Sequence, residues 1–270
     1  MRDALIVSAL SVVPRKAAAR AMGVLSRTGL SQLGTSAFVR AYGVDMSEAE
    51  HGLDAYPTLA ALFTRRLKPG ARPVDPAPDV LVSPVDGKVA WAGQTQGGSF
   101  DVAPGRPLTL AALCGAPVDG ERDVVVIYLS PRDYHRVHAP CDGVVRRWRY
   151  LPGTLWPVFP AAVRGVTGLF GRNERVWAEL ETPQGPVEMI LVGAFGVGRM
   201  ETVFCDLLTN TGAPATDGVA DVSVTRGADF GVFHLGSTVV LVLPPGRWTA
   251  RVGPGDVVRM GVAIADVQQA

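Results

Sequence analysis

The sequence predicts an α+β fold, a mainly β domain behind short N-terminal amphipathic helices. Glycine (31) and proline (21) are abundant, which favours many short strands joined by turns over a helical bundle. Runs of β-branched residues are closed by turn signals throughout the second half of the chain. The first forty residues differ in texture, being rich in Ala, Leu and Val and basic.

That front end carries Arg2, Arg15, Lys16, Arg20, Arg27 and Arg40 against Asp3 alone, although the whole chain has a formal net charge of only +1. A basic apolar prefix on a mildly acidic body is a membrane-surface pattern. The apolar run from Ala4 to Val13 is closed by Pro14 and is too short to span a bilayer, which takes roughly 20 residues. A signal peptide needs small residues at a cleavage site, and Pro14-Arg15-Lys16 follows instead. Residues 1–45 therefore read as basic amphipathic helices lying on an anionic membrane. The alternative is a helical cap packed on the protein's own core.

Tyr42-Gly43-Val44-Asp45-Met46 breaks this prefix, and Asp45 or Ser47 is predicted to cap a short helix beginning at Glu48. Leu59, Leu62 and Phe63 have helical spacing, predicting a helix over 59–66 that ends before Pro69-Gly70. Pro69, Pro73, Pro76 and Pro78 then form an extended connector into the main domain. Val124 to Leu129 is a continuous run suited to a buried strand. Val176 to Leu180 and Val187 to Val192 flank Pro183-Gln184-Gly185-Pro186 as a hairpin. Val239 to Leu243 is a second buried strand, with further strands predicted over 247–252 and 257–262.

An apolar share of 47% and a charged share of 19% mark a folded protein. Its near-neutral charge provides no field for nucleic acid. Cys114, Cys141 and Cys205 form neither a disulfide framework nor a CxxC pair, which fits a reducing environment.

Chemistry-bearing residues fall in three separated segments. Leu235-Gly236-Ser237-Thr238 stands directly before the apolar run at 239–243. A Ser237 hydroxyl attacking the Gly236 carbonyl would make an ester by N→O acyl shift, and a residue without a β-carbon before the serine relieves crowding. β-Elimination and hydrolysis would then leave a pyruvoyl group. Read alone, the triplet is equally an ordinary turn. His135 and His138 lie between Pro131 and Pro140, so a long helix is excluded and the rings have different surroundings. They read as a buried structural pair or as acid–base groups; a metal site would need a third ligand, and no carboxylate stands at a useful spacing. Asp86, in Ser83-Pro84-Val85-Asp86-Gly87, is ordinary hairpin chemistry by itself. Combined with a histidine and a serine it completes a carboxylate–imidazole–hydroxyl relay. Gly193-Ala194-Phe195-Gly196-Val197-Gly198 lacks a following GK[ST] and a helix, so a nucleotide loop is rejected.

From Tyr42 to the C-terminus the chain resembles bacterial phosphatidylserine decarboxylases. The resemblance rests on Phe63-Thr64-Arg65-Arg66-Leu67 with Arg72-Pro73, Ser83-Pro84-Val85-Asp86-Gly87, Tyr134-His135-Arg136-Val137-His138, Arg172-Asn173-Glu174-Arg175-Val176, Val192-Gly193-Ala194 and Leu235-Gly236-Ser237-Thr238. It departs at Asp229, where the family's acidic-x-Gly-x-Phe lead-in would have Glu, and at Ala103-Pro104-Gly105-Arg106-Pro107.

The resemblance implies that residues 46–270 form a pyruvoyl-dependent decarboxylase domain. It implies self-cleavage between 236 and 237 by the triad Asp86, His138 and Ser237, with Gly236 supplying the cleaved carbonyl. Ser237 would become the covalent pyruvoyl cofactor, with no metal and no pyridoxal phosphate. The amine of phosphatidylserine would form a Schiff base, lose CO₂ and be reprotonated by His135, giving phosphatidylethanolamine. The implied partners are the two chains of one proenzyme, an anionic membrane surface and a second copy in a homodimer. The implied location is the cytoplasmic face of the cell inner membrane, peripherally bound. A pyruvoyl decarboxylase acting on a soluble substrate and a β-rich membrane-binding module without chemistry stand as alternatives.

Overall fold

The computed structural model describes residues 14–196, 199–207, 209–234 and 237–268. Helix α1 (Arg15–Leu25), a 3₁₀ turn (Gly29–Gly34) and helix α2 (Thr35–Tyr42) form the front. Gly43, left-handed at φ 66°, ends α2 in a conformation that glycine adopts without steric cost. These helices lie on the body rather than apart from it. Ala19 and Gly23 are buried, Ala60 N–H donates to the Ser26 carbonyl, and Arg20 Nε donates to the Asn210 carbonyl. Their outer side nonetheless leaves Val24, Leu25, Leu30 and Leu33 exposed, Leu33 at 85%. Residues 1–13 of the prefix lie outside the described residues. No helix among the described residues is long and apolar enough to cross a membrane.

Helix α3 (Leu59–Phe63) is capped by Thr58, whose hydroxyl accepts from Ala61 N–H, and stops three residues short of the expected end at 66. The helix expected from Glu48 does not form. Asp45 spends its carboxylate on the N–H and hydroxyl of Ser47, a local bond that competes with helix initiation. Ala49 instead bridges Leu67, while Glu50 N–H donates to Arg66 and Lys68 N–H to Glu48. Residues 48–50 thus find a strand-like partner in 66–68.

After the proline connector come β1 (Val80–Val82), β2 (Gly87–Gln94), β3 (Ser99–Asp101) and β4 (Pro107–Thr109). Next are β5 (Asp123–Leu129), β6 (Arg136–His138), β7 (Gly143–Leu151), β8 (Arg175–Glu181) and β9 (Val187–Gly193). The chain continues with β10 (Met200–Thr202), β11 (Thr216–Val224), β12 (Asp229–Phe233) and β13 (Ser237–Leu243). It finishes with β14 (Trp248–Ala250), β15 (Val257–Val258) and β16 (Ala263–Val267). Of the single strand expected over 257–262 only Val257–Val258 forms, because the chain turns before β16, with Gly261 at φ 89° against the Pro73 carbonyl.

Eight strands form one antiparallel sheet in the order β11-β7-β8-β9-β13-β5-β2-β15. All seven residues of β13 are buried, consistent with a central strand covered on both faces. Strand β8 pairs with β9 as the expected hairpin. Two smaller three-stranded sheets have the orders β10-β12-β6 and β1-β16-β14. The α+β, mainly β reading holds.

Gly87 enters β2 with its backbone against β5. A β-carbon there would stand 2.5 Å from the Tyr128 carbonyl oxygen and 2.9 Å from Ile127 Cγ2. Gly253 has open space and an ordinary φ. Gly87→Ala is expected to destabilise the protein by about 2 kcal/mol or more, and Gly253→Ala to leave the urea midpoint within error; equal midpoints for the two variants would contradict this packing.

Candidate active site

Ser237 is fully buried at the start of β13, opposite Leu129 of β5 on one side and Gly193 of β9 on the other. Directly paired residues share a face, so its hydroxyl looks toward the side on which Gly193 has no side chain. Ser237 Oγ and Thr238 Oγ1 are both buried with no hydrogen-bond partner among the described residues. A buried unsatisfied hydroxyl is uncommon and points to a strained or reactive position. Leu235 and Gly236 lie outside the described residues, so the expected scissile carbonyl has no geometry here.

Gly193 is held from behind. Asn173 Nδ2 donates to the carbonyls of Gly193 (2.9 Å) and Trp156 (2.8 Å), its Oδ1 accepts from Trp156 N–H at 2.8 Å, and Gly193 N–H donates to Glu174. Asn173 and Glu174 are both buried. The Arg172-to-Val176 segment therefore braces the strand that braces Ser237.

His135 closes the loop from β5 to β6, and its carbonyl accepts from Phe233 N–H at 3.0 Å. It is fully buried, with its ring 4.1 Å from that of Phe63. Its Nδ1 donates to the Asp133 carbonyl at 2.8 Å, so the Nε2 lone pair is the free one and has no partner. Burial, aided by the nearby Arg65 charge, pushes its pKa down to about 3, so the ring is neutral at pH 7.

His138 sits at the other end of the β6/β12 ribbon, directly paired with Asp229. Three residues of extended chain separate the two histidines by about 10 Å. His138 Nδ1 donates to the Gly227 carbonyl at 2.9 Å, and Tyr134 O–H donates to Nε2 at 3.1 Å. Burial lowers the His138 pKa, while the Gly227 bond and the Asp229 charge pull it back. Burial raises Tyr134 to about 12, keeping the phenol protonated.

Asp86 reaches this region through a stitched turn: Ser83 Oγ donates to the Val85 carbonyl and His138 N–H to the Pro84 carbonyl. Its carboxylate accepts from Arg72 Nε at 2.9 and 3.1 Å and from Met260 N–H at 2.8 Å. Arg72 also bonds Glu48 at 2.8 Å, which in turn pairs with Arg259 at 2.9 Å. Asp86 lines a cavity of about 240 Å³ and His138 a neighbouring one of about 260 Å³, with Leu67, Arg72 and Tyr134 in the walls of both. Tertiary folding thus brings the three sequence-predicted segments to one end of the large sheet. The hydrogen bonds of Asp86 go to Arg72 and Met260, and those of His138 to Tyr134 and Gly227.

A family model described as phosphatidylserine decarboxylase matches residues 59–266. The chain belongs to the phosphatidylserine decarboxylase family. It is similar to a phosphatidylserine decarboxylase proenzyme of Anaeromyxobacter sp. (strain K), 41% identical over 97% of this chain and 98% of that one. It is 39% identical to a protein of the same name from Myxococcus xanthus (strain DK1622), over 98% and 99% of the two chains. A third, from Halorhodospira halophila (strain DSM 244 / SL1), is 45% identical over 86% of this chain and 82% of its own. By family the chain is an enzyme, a decarboxylase.

Several residues of this decarboxylase site carry weight that their sequence context did not assign. Arg72, Tyr134 and Asn173 stand inside the motifs that carry the family resemblance, yet nothing in a linear motif says which carboxylate, imidazole or carbonyl each one bonds. Gly227 contributes a backbone carbonyl, and Met260 a backbone N–H, for which no side-chain pattern is a signal.

His135, His138 and His234 all have pKa values lowered, first by burial. Each binds a proton more readily unfolded than folded, so its contribution is complete above the ordinary histidine value near 6.5 and is lost as pH falls. For His135 that window extends down to about 3. Stability of the uncut chain is expected to decline from pH 7 to pH 4.5, with His135→Asn flattening the decline. Urea denaturation across that range measures it, and a pH-independent midpoint would contradict the neutral assignment.

Proposed function

We propose that the chain decarboxylates phosphatidylserine to phosphatidylethanolamine after cutting itself between Gly236 and Ser237 into residues 1–236 and 237–270. The observation that carries this reading is the buried, unpartnered Ser237 hydroxyl in a member of this family. A pyruvoyl group derived from Ser237 would supply the electron sink for CO₂ loss, and the orphaned hydroxyl at the head of a rigid strand fits its source.

The residues of the chain have separable tasks. Ser237 Oγ attacks the carbonyl before it and must give up a proton. His138 is the base of this step, and its available atom is Nε2, because Nδ1 keeps its hydrogen on Gly227. Tyr134 occupies that lone pair in the uncut chain, so its phenol must turn aside or relay the proton. Asp86 supports the imidazole as the third member, for which Arg72 has to share or release it.

His135 acts in turnover, through Nε2. Burial keeps it neutral alone, and an anionic substrate beside it raises its proton affinity, so it can return a proton to the substrate carbon after CO₂ leaves.

A lipid substrate is supported by an apolar cavity of about 600 Å³ between α1, α2 and α3, lined by Met22, Leu25, Leu30, Phe38, Phe63 and Phe195. Phe63, in its wall, is the ring that packs on His135. The exposed Val24, Leu25, Leu30 and Leu33, with the basic residues of the same prefix, form the surface that would meet an anionic bilayer at the cytoplasmic face of the inner membrane. A homodimer remains part of the proposal on family grounds.

Ser237→Ala is expected to run as one uncut band on a denaturing gel; two bands would overturn the cleavage assignment. His135→Ala is expected to be cut normally yet lose at least about a hundredfold in decarboxylation, and retained CO₂ release from phosphatidylserine vesicles would remove its role.

A further inference from the structure

We infer that Asp229 is a second carboxylate, beside Asp86, that supports His138 in self-cleavage: it stands on the Nδ1 side of the ring, where it stabilises positive charge on the imidazole, while the Gly227 carbonyl holds the Nδ1 proton and leaves Nε2 as the basic atom. The inference rests on the self-cleavage reading above.

A base of this kind needs a negative group on the ring nitrogen away from the proton it accepts, to hold the tautomer and stabilise the imidazolium. In this structure the groups at Nδ1 are the Gly227 carbonyl at 2.9 Å and Asp229 Oδ1 at 3.8 Å. The placement is not accidental to side-chain rotation, since Asp229 and His138 are direct cross-strand partners in the β6/β12 ribbon. Asp229 is also clamped. Arg136 reaches it with Nη2 at 3.0 Å and Nε at 3.4 Å, and Arg66 with Nη2 at 3.2 Å. Burial alone would raise its pKa, but Arg136, His138 and Arg66 together hold it below the usual carboxylate range, so it stays charged.

Other groups facing His138 do not take this place. Tyr134 is on Nε2, the opposite side of the ring. Asp86 is engaged by Arg72 and Met260 N–H. From the front segment, Glu50, Arg66, Lys68 and Arg72 line the same cavity, and three of these four are cations that oppose imidazolium formation. Arg136, on the same ribbon, opposes it too. Asp229 therefore stands ahead of Asp86 among the carboxylates that favour a proton on His138. The family's expected Glu at this position supplies the same charge on a longer arm, which makes Asp229→Glu the conservative variant.

The test compares self-cleavage of the full chain with Asp229→Asn and Asp229→Glu between pH 5 and 9. Asp229→Asn is expected to slow cutting at least about tenfold at pH 7 and to move the acid limb of the rate profile down by about one pH unit, because His138 loses its stabilising charge. Asp229→Glu is expected to restore the wild-type limb. A wild-type rate and limb in Asp229→Asn overturns the inference, and so does slowing with an unmoved limb, which would mark a purely structural role. A second measurement does not depend on cutting: the His138 titration followed by NMR in Ser237→Ala, with and without Asp229→Asn. A lower midpoint in the double variant supports the positioning role and an unchanged one overturns it. Should the wild-type chain itself remain uncut, the self-cleavage reading fails while the titration still decides the Asp229–His138 coupling.

Discussion

Strand β13 pairs in register with β5 and β9 at once, and the position of every group around Ser237 follows from that double pairing. Seven consecutive buried residues pair their backbone on both sides, while the Ser237 and Thr238 hydroxyls have no partner among the described residues. This leaves the first residue of the strand in a dry, fully hydrogen-bonded framework. A hydroxyl there cannot find water and is held against one neighbour, Gly193, that presents no side chain. The framework itself is anchored outward: Asn173 and Glu174 hold Gly193, and Gly87 lets β2 close on the far side of β5. The dry setting of Ser237 is thus a property of sheet packing more than of the Gly-Ser-Thr triplet.

The same dryness sets the protonation states. His135 and His138 both donate Nδ1–H to a backbone carbonyl, so both direct an Nε2 lone pair into the site. They differ in company. His135 has an aromatic wall and the Arg65 charge, and is strongly disfavoured as an imidazolium. His138 has a phenol, a carboxylate and a mixed charge field. Two histidines three residues apart thereby acquire different surroundings and different proton affinities.

The front segment is coupled to this centre by charge as well as by packing. Glu48 joins Arg72 to Arg259, Arg72 joins Glu48 to Asp86, and Arg66 reaches Asp229. Residues between the N-terminal helices and β1 therefore end against both Asp86 and Asp229. The helices lie on the body through Ala19, Gly23 and Ser26 while turning Leu30 and Leu33 outward, so one element both packs on the core and exposes an apolar face.

Much of this was legible before folding. Val124 to Leu129, the 176–192 hairpin and Val239 to Leu243 announced themselves because a buried strand demands β-branched runs and a turn demands its own residues. Asp86, His135, His138 and Ser237 stood out by residue type within ordered motifs. Other features were not legible, for local reasons: Asp45 spent its side chain on Ser47 instead of capping a helix, and the turn at Gly261 cut an expected strand down to two residues. The sequence by itself determined the mainly β class and the family. Only the tertiary structure decided that Asp86 bonds Arg72, that Tyr134 sits on His138 Nε2, and that Asp229 is the carboxylate at Nδ1. Those pairings join residues up to about a hundred positions apart, and which partner wins depends on strand register and burial, quantities that exist only once the sheets have closed.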